Sequence, residues 1–345
     1  MNFWQKLKQK KGDAPILVLA PMADVTDPAF RRIIVKYGKP DVMWTEFVSA
    51  DGLFLGGREA LIKDLAYDES ERPIVAQFFT GSPEMMRKAA ALAVELGFDG
   101  VDINMGCPDK SVEKQGGGAS LIKKPTLAQE LIEAAKQGVK DATKEGHEAI
   151  PVSVKTRIGY NKNELETWLP ALLDTEPAVI TMHARTRKEM SLVPARWEHV
   201  KRAVEIRNER REKKEAGDLV GGKGSDTLIF GNGDALSLAD AEKKARETGA
   251  DGVMLGRAIF GNPWCFSRTR TRDDLTLTER LDILVEHTKL FEQLLPHKSF
   301  AIMKKHYKAY IHGWDGAKEL RMRLMDAKDV AEVGDIISEY LKKVA

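Results

Sequence analysis

The chain has 345 residues and a formal net charge of +2, and its 43% hydrophobic and 31% charged fractions are typical of a soluble globular protein. That length accommodates one large domain and a smaller one, and the near-neutral charge confines any nucleic-acid-binding surface to a local patch. No apolar run approaches the about 20 residues of a membrane span, no signal-peptide core follows the lysine-rich residues 1–12, and two cysteines are too few for a disulfide framework. We therefore expect a cytoplasmic monomer with no membrane association and no obligate protein partner.

Apolar strands alternate with helical patterns along most of the chain. The predicted strands cover residues 15–20, 41–47, 73–79, 99–105, 151–155, 178–183, 227–230 and 251–255. The predicted helices cover residues 27–37, 50–63, 84–96, 163–173 and 237–248, with two more beginning near residues 126 and 197. The first of them has Asp27 as a capping residue and Pro28 at its first position.

Eight such units predict an α/β fold, a closed (β/α)8 TIM barrel. The strands are almost continuously apolar, as parallel strands buried on both faces are. A doubly wound open sheet is the alternative, but that fold usually has a Gly-x-Gly-x-x-Gly turn after its first strand. Here the turn is Ala20-Pro21-Met22-Ala23, which favours the barrel.

Two segments lie outside the repeat. Residues 207–226 are charged and end in glycines, which indicates a solvated helix extension and loop. Beyond about residue 275 strand signals stop, and helical periodicity covers residues 277–295, 298–312, 316–325 and 329–341. We therefore predict a barrel domain over residues 1–270 and a small helical bundle over residues 275–345.

A barrel builds its active site from the loops at the carboxyl ends of its strands. Those ends carry many polar residues, among them Thr45, Glu46, Gln77, Asn104, Cys107, Lys155, Arg157, His183, Arg185 and Arg187. The loops after strands seven and eight commonly bind phosphate in barrels, and here they contain Gly231-Asn232-Gly233-Asp234 and Gly256-Arg257. Small residues let the backbone approach a phosphate, and a guanidinium pairs with it, so we predict a phosphate site there.

Two further residues suit a flavin mononucleotide (FMN). Lys155 at a strand tip can neutralise an electron-rich ring, although it can equally be a salt-bridged rim lysine. Gln77 offers a donor and an acceptor to a heterocycle edge, or else caps a layer of side chains. Cys107, between Gly106 and Pro108, is either a reactive thiol at the barrel mouth or a small buried residue.

The motifs, taken together and in order, resemble those of the tRNA-dihydrouridine synthases over about residues 15–266. Each motif is weak alone, whereas the ordered set on eight strands is specific. They are Ala20-Pro21-Met22-Ala23-Asp24-Val25-Thr26-Asp27 with Phe30-Arg31, Asn104-Met105-Gly106-Cys107-Pro108, Lys155-Thr156-Arg157-Ile158-Gly159, His183-Ala184-Arg185-Thr186-Arg187, Gly231-Asn232-Gly233-Asp234, and Gly256-Arg257 with Asn262-Pro263-Trp264.

The resemblance implies an FMN enzyme that uses NADPH or NADH to reduce the C5–C6 double bond of uridines in tRNA, without a metal, and a helical domain that helps to hold tRNA. It implies flavin contacts from the backbone of Pro21, Met22 and Ala23 and from the side chains of Gln77, Lys155 and His183. It implies that Asn232, Gly233, Asp234, Gly256 and Arg257 hold the phosphate end. Asn104 would contact the uracil, and Cys107 would be the general acid.

The chemistry agrees with that role for Cys107. Reduction of the double bond needs a hydride at one carbon, which a flavin can deliver, and a proton at its neighbour from a positioned acid. A thiol of ordinary pKa is mostly protonated at neutral pH and can donate that proton. The target base must leave the tRNA fold to lie against the flavin.

RNA binding requires local positive charge. We predict that Arg157, Arg185, Arg187, Arg31 and Arg32 contact the substrate near the barrel mouth. A basic segment holds Lys298, Lys304, Lys305, His306 and Lys308 with Tyr307 and Tyr310, and Lys304, Lys305 and Lys308 share one helix face. Arg268, Arg270 and Arg272 form a second basic patch, and for both patches a solvated surface is the alternative.

The sequence departs from the family pattern at three places. Asp24 stands where glycine is usual, but Asp tolerates a left-handed backbone. Residues 109–112 are less basic than usual, and residues 188–196 lack the Gln-x-Tyr pattern, so the tRNA-facing loops have drifted. Two other functions therefore stay open: an FMN barrel that reduces a free pyrimidine or another small conjugated substrate, and a flavin-bearing protein that folds or escorts tRNA.

Overall fold

The computed structural model describes residues 1–144, 149–218 and 220–344, and within them eight parallel strands form one sheet. The strands are β1 (Ile16–Leu19), β2 (Met43–Ser49), β3 (Ile74–Phe79), β4 (Gly100–Met105), β5 (Val152–Arg157), β6 (Val179–His183), β7 (Leu228–Asn232) and β8 (Gly252–Leu255). Their order is β1-β8-β7-β6-β5-β4-β3-β2, and a parallel bridge between Val18 and Val42 joins β1 to the chain entering β2. The sheet thus closes on itself, and the predicted barrel is confirmed.

One helix precedes the first strand, and the others follow strands and cover the outside of the barrel. They are α1 (Phe3–Lys11), α2 (Pro28–Gly38), α3 (Ala50–Phe54), α4 (Arg58–Leu61), α5 (Pro83–Glu95), α6 (Lys110–Lys114), α7 (Pro125–Lys144), α8 (Leu165–Leu173), α9 (Glu198–Glu215) and α10 (Leu238–Thr248). In the described part of the chain, none of the helices combines the length and apolar character that a membrane crossing needs.

The amino end of the barrel is closed by α1, which the sequence analysis did not predict. Trp4 is fully buried, with its ring 5.6 Å from that of Trp44 and 5.5 Å from that of Phe230. Asn2 caps this helix by accepting a hydrogen bond from the Gln5 backbone, and the Gln5 side chain accepts one from the Asn2 backbone. Trp4 therefore seals the barrel interior at one end, and any ligand must enter from the other.

The C-terminal region is helical, with α11 (Leu277–Leu294), α12 (Met303–Tyr310), α13 (Ala317–Asp326) and α14 (Val330–Val344). It packs on α2, where the Phe30 ring lies 5.1 Å from the ring of His287 and 4.9 Å from that of His306. The domain boundary between residues 270 and 275 stays a prediction, and residue 345 lies outside the described residues.

Two predicted helices are interrupted in the structure. The region 50–63 divides into α3, α4 and a 3₁₀ turn at Ile62–Leu65, because Gly56, with φ of 116°, ends the first helix. The region 298–312 divides into a 3₁₀ turn at Phe300–Ile302 and α12, with Ser299 capping the turn. Both regions are helical, as predicted, but each is divided into shorter elements.

Candidate active site

A cavity of about 580 Å³ opens at the carboxyl ends of the strands. Its volume is within the range of small-molecule and cofactor sites. The predicted site residues that line it are Pro21, Met22, Lys155, Arg157, His183, Arg185, Asn232, Gly233, Asp234, Gly256 and Arg257. We call this space the mouth cavity. Ala23, Gln77, Asn104, Cys107 and Arg187 are not among its lining residues.

The phosphate end of the mouth cavity is built from the loops after β7 and β8. Gly233 has a φ of 116°, and a Cβ there would lie 2.8 Å from the Cβ of Ala195. A Cβ at Gly256 would meet only Ala20 and Met22, each at 3.5 Å, so the missing side chain leaves that space to the cavity. Gly233 is therefore required by its backbone conformation and by Ala195, whereas Gly256 lets the backbone approach a ligand closely.

Asp234 organises the cations of this end. Its carboxylate accepts hydrogen bonds from Arg185 and Arg257 and from the backbone N–H of Ala195, the last at 2.8 Å. Burial raises the pKa of Asp234, but the bonds from Arg185 and Ala195 outweigh it and hold the pKa below its usual value. The Arg257 side chain is 62% exposed at the rim, where it is accessible to an anion.

Lys155 faces the mouth cavity from β5. Among the described residues its ammonium has no hydrogen-bond partner. The negative charges of Asp102 and Cys107 nevertheless raise its pKa. Burial, and then the neighbouring Arg157, lower the pKa of Lys155 to about 8. An unpaired cation in a cavity fits a ligand with an electron-rich or anionic part.

His183 is a neutral imidazole. Burial, with the nearby charges of Arg157 and Lys155, lowers its pKa well below the usual value. Its Nε2 lies 3.1 Å from a guanidinium nitrogen of Arg185, and a guanidinium can only donate. The proton of the ring is therefore on Nδ1.

Cys107 lies at the end of β4, beside the cavity-lining Pro108. It is half-buried, whereas the second cysteine, Cys265, is buried in the core. Burial raises the pKa of the Cys107 thiol above its usual value, and a backbone hydrogen bond of Asp109 only partly offsets this. The thiol is therefore protonated at neutral pH, as a proton donor must be.

Asn104 holds the backbone at Cys107. Its Oδ1 accepts from the N–H of Gly106 at 3.1 Å and from that of Cys107 at 2.9 Å. Its Nδ2 donates to Oε1 of Gln77 at 3.2 Å, and Nε2 of Gln77 donates to Asp102 at 2.6 Å. Gln77 thus belongs to a buried network around Asp102, which the sequence analysis missed. The sequence does indicate a special role for Asp102, because it is the one charged residue within the otherwise uncharged strand β4.

The predicted substrate arginines brace the loop of Cys107. Arg157 donates to the carbonyl of Gly106 at 2.7 Å and to those of Thr186 and Met190 at 3.1 and 3.2 Å. Arg187 pairs with Glu113 at 2.7 Å and donates to the carbonyl of Pro108 at 3.2 Å. Direct contact of Arg157, Arg185 and Arg187 with a substrate stays a prediction.

The expectation that Arg31 contacts RNA was wrong, whereas the expectation for Arg32 stays a prediction. Arg31 is fully buried, where it pairs with Glu71 at 2.5 Å and donates to the backbone carbonyls of Thr26 and Ala66. The guanidinium of Arg31 therefore stabilises the packing of α2 and is not available to a phosphate. Arg32 is partly exposed, 3.7 Å from Asp68.

Only some residues of the basic segment 298–310 are exposed on the surface. His306, Tyr307 and Tyr310 are buried, because the apolar stripe of α12 faces the core. Lys298 is paired with Glu46 and Asp64. Lys304, Lys305 and Lys308 remain at least partly exposed.

Asp24 adopts the left-handed backbone that its place in the first loop predicts, with a φ of 52°. Its N–H donates to Glu46 Oε1 at 2.5 Å, and its carboxylate lies 3.4 Å from Lys305. The turn after β1 therefore survives without glycine and is tied to the helical region. Among the described residues no group of three or more His, Cys, Asp and Glu could hold a metal ion.

The chain is similar to known proteins over nearly its whole length. The family model "Dihydrouridine synthase (Dus)" matches residues 18–209 and 220–345. The chain is 36% identical over 346 residues to "Probable tRNA-dihydrouridine synthase 2" of Bacillus subtilis (strain 168), covering 99% of this chain and 97% of that one. It is 35% identical over 343 residues to "Probable tRNA-dihydrouridine synthase" of Staphylococcus aureus (strain MRSA252), covering 98% and 95%.

Among solved structures, histamine dehydrogenase from Rhizobium sp. 4-9 superposes with a TM-score of 0.52 at 12% identity. The match covers 80% of this chain and 49% of that one. At that identity the likeness concerns the fold alone.

Proposed function

The chain belongs to the dihydrouridine synthase family, and from that premise we propose that it reduces uridine to dihydrouridine in tRNA, with FMN in the mouth cavity, NADPH as reductant and Cys107 as proton donor. Membership makes it a flavin-dependent oxidoreductase. The observation that carries the residue assignment is the position of Cys107, a free and half-buried thiol at a strand end beside a cavity that Lys155 lines.

The mouth cavity fits FMN in size and in donor set. Arg257, with the open backbone at Gly256, supplies a cradle for a phosphate at one end, and Gly233 lines the same part of the cavity. Lys155, which lacks a hydrogen-bond acceptor among the described residues, supplies a cation for the ring. Bound there, FMN provides the two electrons that saturation of the uracil double bond requires.

The side chains around the cavity have distinct tasks in this account. Asp234 fixes the guanidiniums of Arg185 and Arg257 by accepting from both. His183, neutral and protonated on Nδ1, is a donor that adds no charge to a site already rich in cations. Lys155 balances negative charge on the ring, which matters most where water is excluded. Asn232 ties β7 to β8 by donating to the carbonyl of Met254 at 2.8 Å.

Cys107 supplies the proton. Its Sγ–H bond would break as a C–H bond forms at the uracil carbon adjacent to the one that receives the hydride, and the thiolate left behind would recover a proton from solvent. The nearby cations Lys155 and Arg157 stabilise that thiolate, since both lower the pKa of Cys107. Asn104 lies next to Cys107 and accepts from its backbone N–H, and its contact with the edge of the base is part of the proposal.

The test is a reaction with purified protein, FMN, NADPH and tRNA that lacks dihydrouridine, followed by mass spectrometry of the nucleosides. We expect dihydrouridine at a defined position and no product when tRNA is replaced by free uridine or uracil. Turnover of free uridine or uracil at the rate seen with tRNA would establish the small-substrate alternative. Tight tRNA binding without product would establish the escort alternative.

A further inference from the structure

We propose that Asp102 is a positioning residue for Cys107, and that it acts through a relay of two side-chain amides, Gln77 and Asn104. The relay is a feature of the fold, and its value to catalysis rests on the proposed role of Cys107 as proton donor.

The relay runs through one layer of the barrel interior toward the mouth. Gln77 on β3 pairs in register with Asp102 on β4, and Asp102 pairs with Ser153 on β5. The Asp102 carboxylate accepts from Gln77 Nε2 at 2.6 Å and from the Ser153 hydroxyl at 2.5 Å. Asp102 and Gln77 are fully buried and Asn104 almost so, so water cannot replace a missing partner.

The charge of Asp102 fixes the direction of both amides. Burial raises the pKa of Asp102 to about 6, so at neutral pH it is a carboxylate, which can only accept hydrogen bonds. Gln77 must therefore turn its NH2 toward Asp102 and its carbonyl toward Asn104. Asn104 must then donate to Gln77 and turn its own carbonyl toward the backbone of Gly106 and Cys107. If the side-chain amide of Asn104 were reversed, its NH2 would face the backbone N–H of Cys107, and two hydrogen-bond donors would oppose each other.

Other contacts hold the opposite side of the same loop. Arg157 donates to the carbonyl of Gly106 at 2.7 Å, and the N–H of Ala119 donates to the carbonyl of Cys107 at 2.9 Å. Neither contact depends on an amide that can be inverted. The relay differs from these contacts because the orientation of the Asn104 amide depends on Asp102. Asp102 lies outside the mouth cavity and accepts from Gln77 and Ser153, neither of which belongs to the Cys107 loop.

Three variants of the FMN-loaded enzyme separate positioning from general support. Asp102→Leu removes the acceptor and frees Gln77 to invert. Asp102→Asn keeps an acceptor for Gln77, because its NH2 can face the Ser153 oxygen. Ser153→Ala is the matched control, since it removes the other hydrogen bond of Asp102 and leaves the relay in place.

The readout is anaerobic flavin absorbance, which follows reduction by NADPH and reoxidation by tRNA lacking dihydrouridine as separate steps. Misplacement of a reacting group by about 1 Å costs up to about 100-fold, so Asp102→Leu should slow reoxidation by about 10- to 100-fold. Asp102→Leu and Asp102→Asn both remove the charge that raises the pKa of Lys155, so FMN affinity and reduction by NADPH should be equal in these two variants. Reoxidation by tRNA should be slower in Asp102→Leu than in Asp102→Asn, and Ser153→Ala should keep both steps at the parent level. Equal reoxidation rates in Asp102→Leu and Asp102→Asn would overturn the proposal.

A second measurement needs no activity. Asn104→Asp places acceptors on both sides of Gln77, which has one NH2, and should lower the Tm. Adding Asp102→Asn moves the carboxylate to the other end of the relay and makes every pair complementary again. We therefore expect Asp102→Asn to raise the Tm in the Asn104→Asp background and not in the parent. Additive shifts would overturn the relay.

The rate of alkylation of Cys107 by iodoacetamide, in a Cys265→Ser background, gives a comparison of Asp102→Leu with Asp102→Asn, which remove the same charge. The rate should rise in Asp102→Leu, where the two side-chain amides can invert, and stay lower in Asp102→Asn, whereas equal rates would contradict the relay. If the parent enzyme fails to react with tRNA while the coupling in Tm is found, the proposed function is wrong and the relay stands.

Discussion

Lys298 Nζ lies 2.9 Å from Glu46 Oε2 and joins the helical region to the barrel. The side chains are 14% and 7% exposed, and Asp64 provides a second carboxylate at 2.8 Å. The other oxygen of Glu46 accepts from the N–H of Asp24, directly after the Pro21–Ala23 turn. One buried carboxylate therefore connects the loop that lines the mouth cavity with the chain between α11 and α12.

Loss of this ion pair should destabilise the protein. Burial disfavours the ammonium, but Glu46 and Asp64 outweigh it and raise the pKa of Lys298 above its usual range. Lys298→Met leaves two carboxylates without their shared cation, and we expect a loss of about 1–3 kcal/mol in the free energy of unfolding, measured by urea denaturation. Lys289→Met, at an exposed position of α11, is the control and should change little. Equal stability of the two variants would contradict the account of Lys298.

Replacement of the thiol should separate the two half-reactions. In Cys107→Ala, reduction of bound FMN by NADPH should proceed at the parent rate, because the thiol is no part of that step. Reoxidation by tRNA should fall by about 10²- to 10⁴-fold, the usual contribution of a general acid. Stopped-flow absorbance measures both steps, with Cys265→Ala as the control. Comparable loss in both steps would rule out the proton-donor role.

Affinity for FMN should depend on the protonation of Lys155. Its pKa of about 8, lowered by burial and by Arg157, means that the ammonium is charged below pH 8 and loses its proton as the pH rises. The ordinary second pKa of a phosphate group lies near 6, so FMN itself changes little there. We expect the Kd for FMN, from fluorescence quenching, to rise by up to about tenfold per pH unit above pH 8.

Lys155→Arg keeps a cation at all of these pH values and serves as the control. Its Kd for FMN should be nearly independent of pH across the same interval. Parallel pH profiles for the parent and this variant would show that Lys155 does not pair with the cofactor.

The exposed lysines of α12 should contribute to tRNA affinity by pairing with phosphates. For each lysine–phosphate pair that a substitution removes, the slope of log Kd against log salt should fall by about 0.7–0.9. We expect Lys304→Ala/Lys308→Ala to weaken tRNA binding and flatten that slope in filter-binding measurements. Lys10→Ala, on α1 at the closed end of the barrel, is the control with the same charge change per residue. A slope equal to that of the control would place the tRNA elsewhere.

The sequence predicted the barrel because its strands are apolar runs separated by turns, a signal that is local to each unit. The placement of Cys107 after Asn104 at a strand end followed from the same pattern. The role of Trp4 was not predictable in this way. It is the single fully buried residue of a lysine-rich helix, and its partners Trp44 and Phe230 come from distant strands.

The wrong expectations for Arg31 and for part of α12 have a common cause. Polar and charged residues there lie on the buried faces of their helices and not on the surface. Met303, His306, Tyr307 and Tyr310 follow the spacing of a buried stripe, and the same periodicity leaves Lys304 and Lys308 on the outer faces. The direction of the Gln77 amide depends on partners from two strands at once. Sequence alone gives no access to it.

The most direct test of the central claim is a single turnover without oxygen, in which NADPH-reduced, FMN-loaded protein is mixed with tRNA lacking dihydrouridine or with free uridine. We predict that tRNA reoxidises the flavin with one dihydrouridine formed per flavin, and that free uridine leaves the flavin reduced. Reoxidation by free uridine at a comparable rate, or persistence of the reduced flavin with tRNA, would contradict the assignment of this chain as an enzyme that reduces uridine in tRNA.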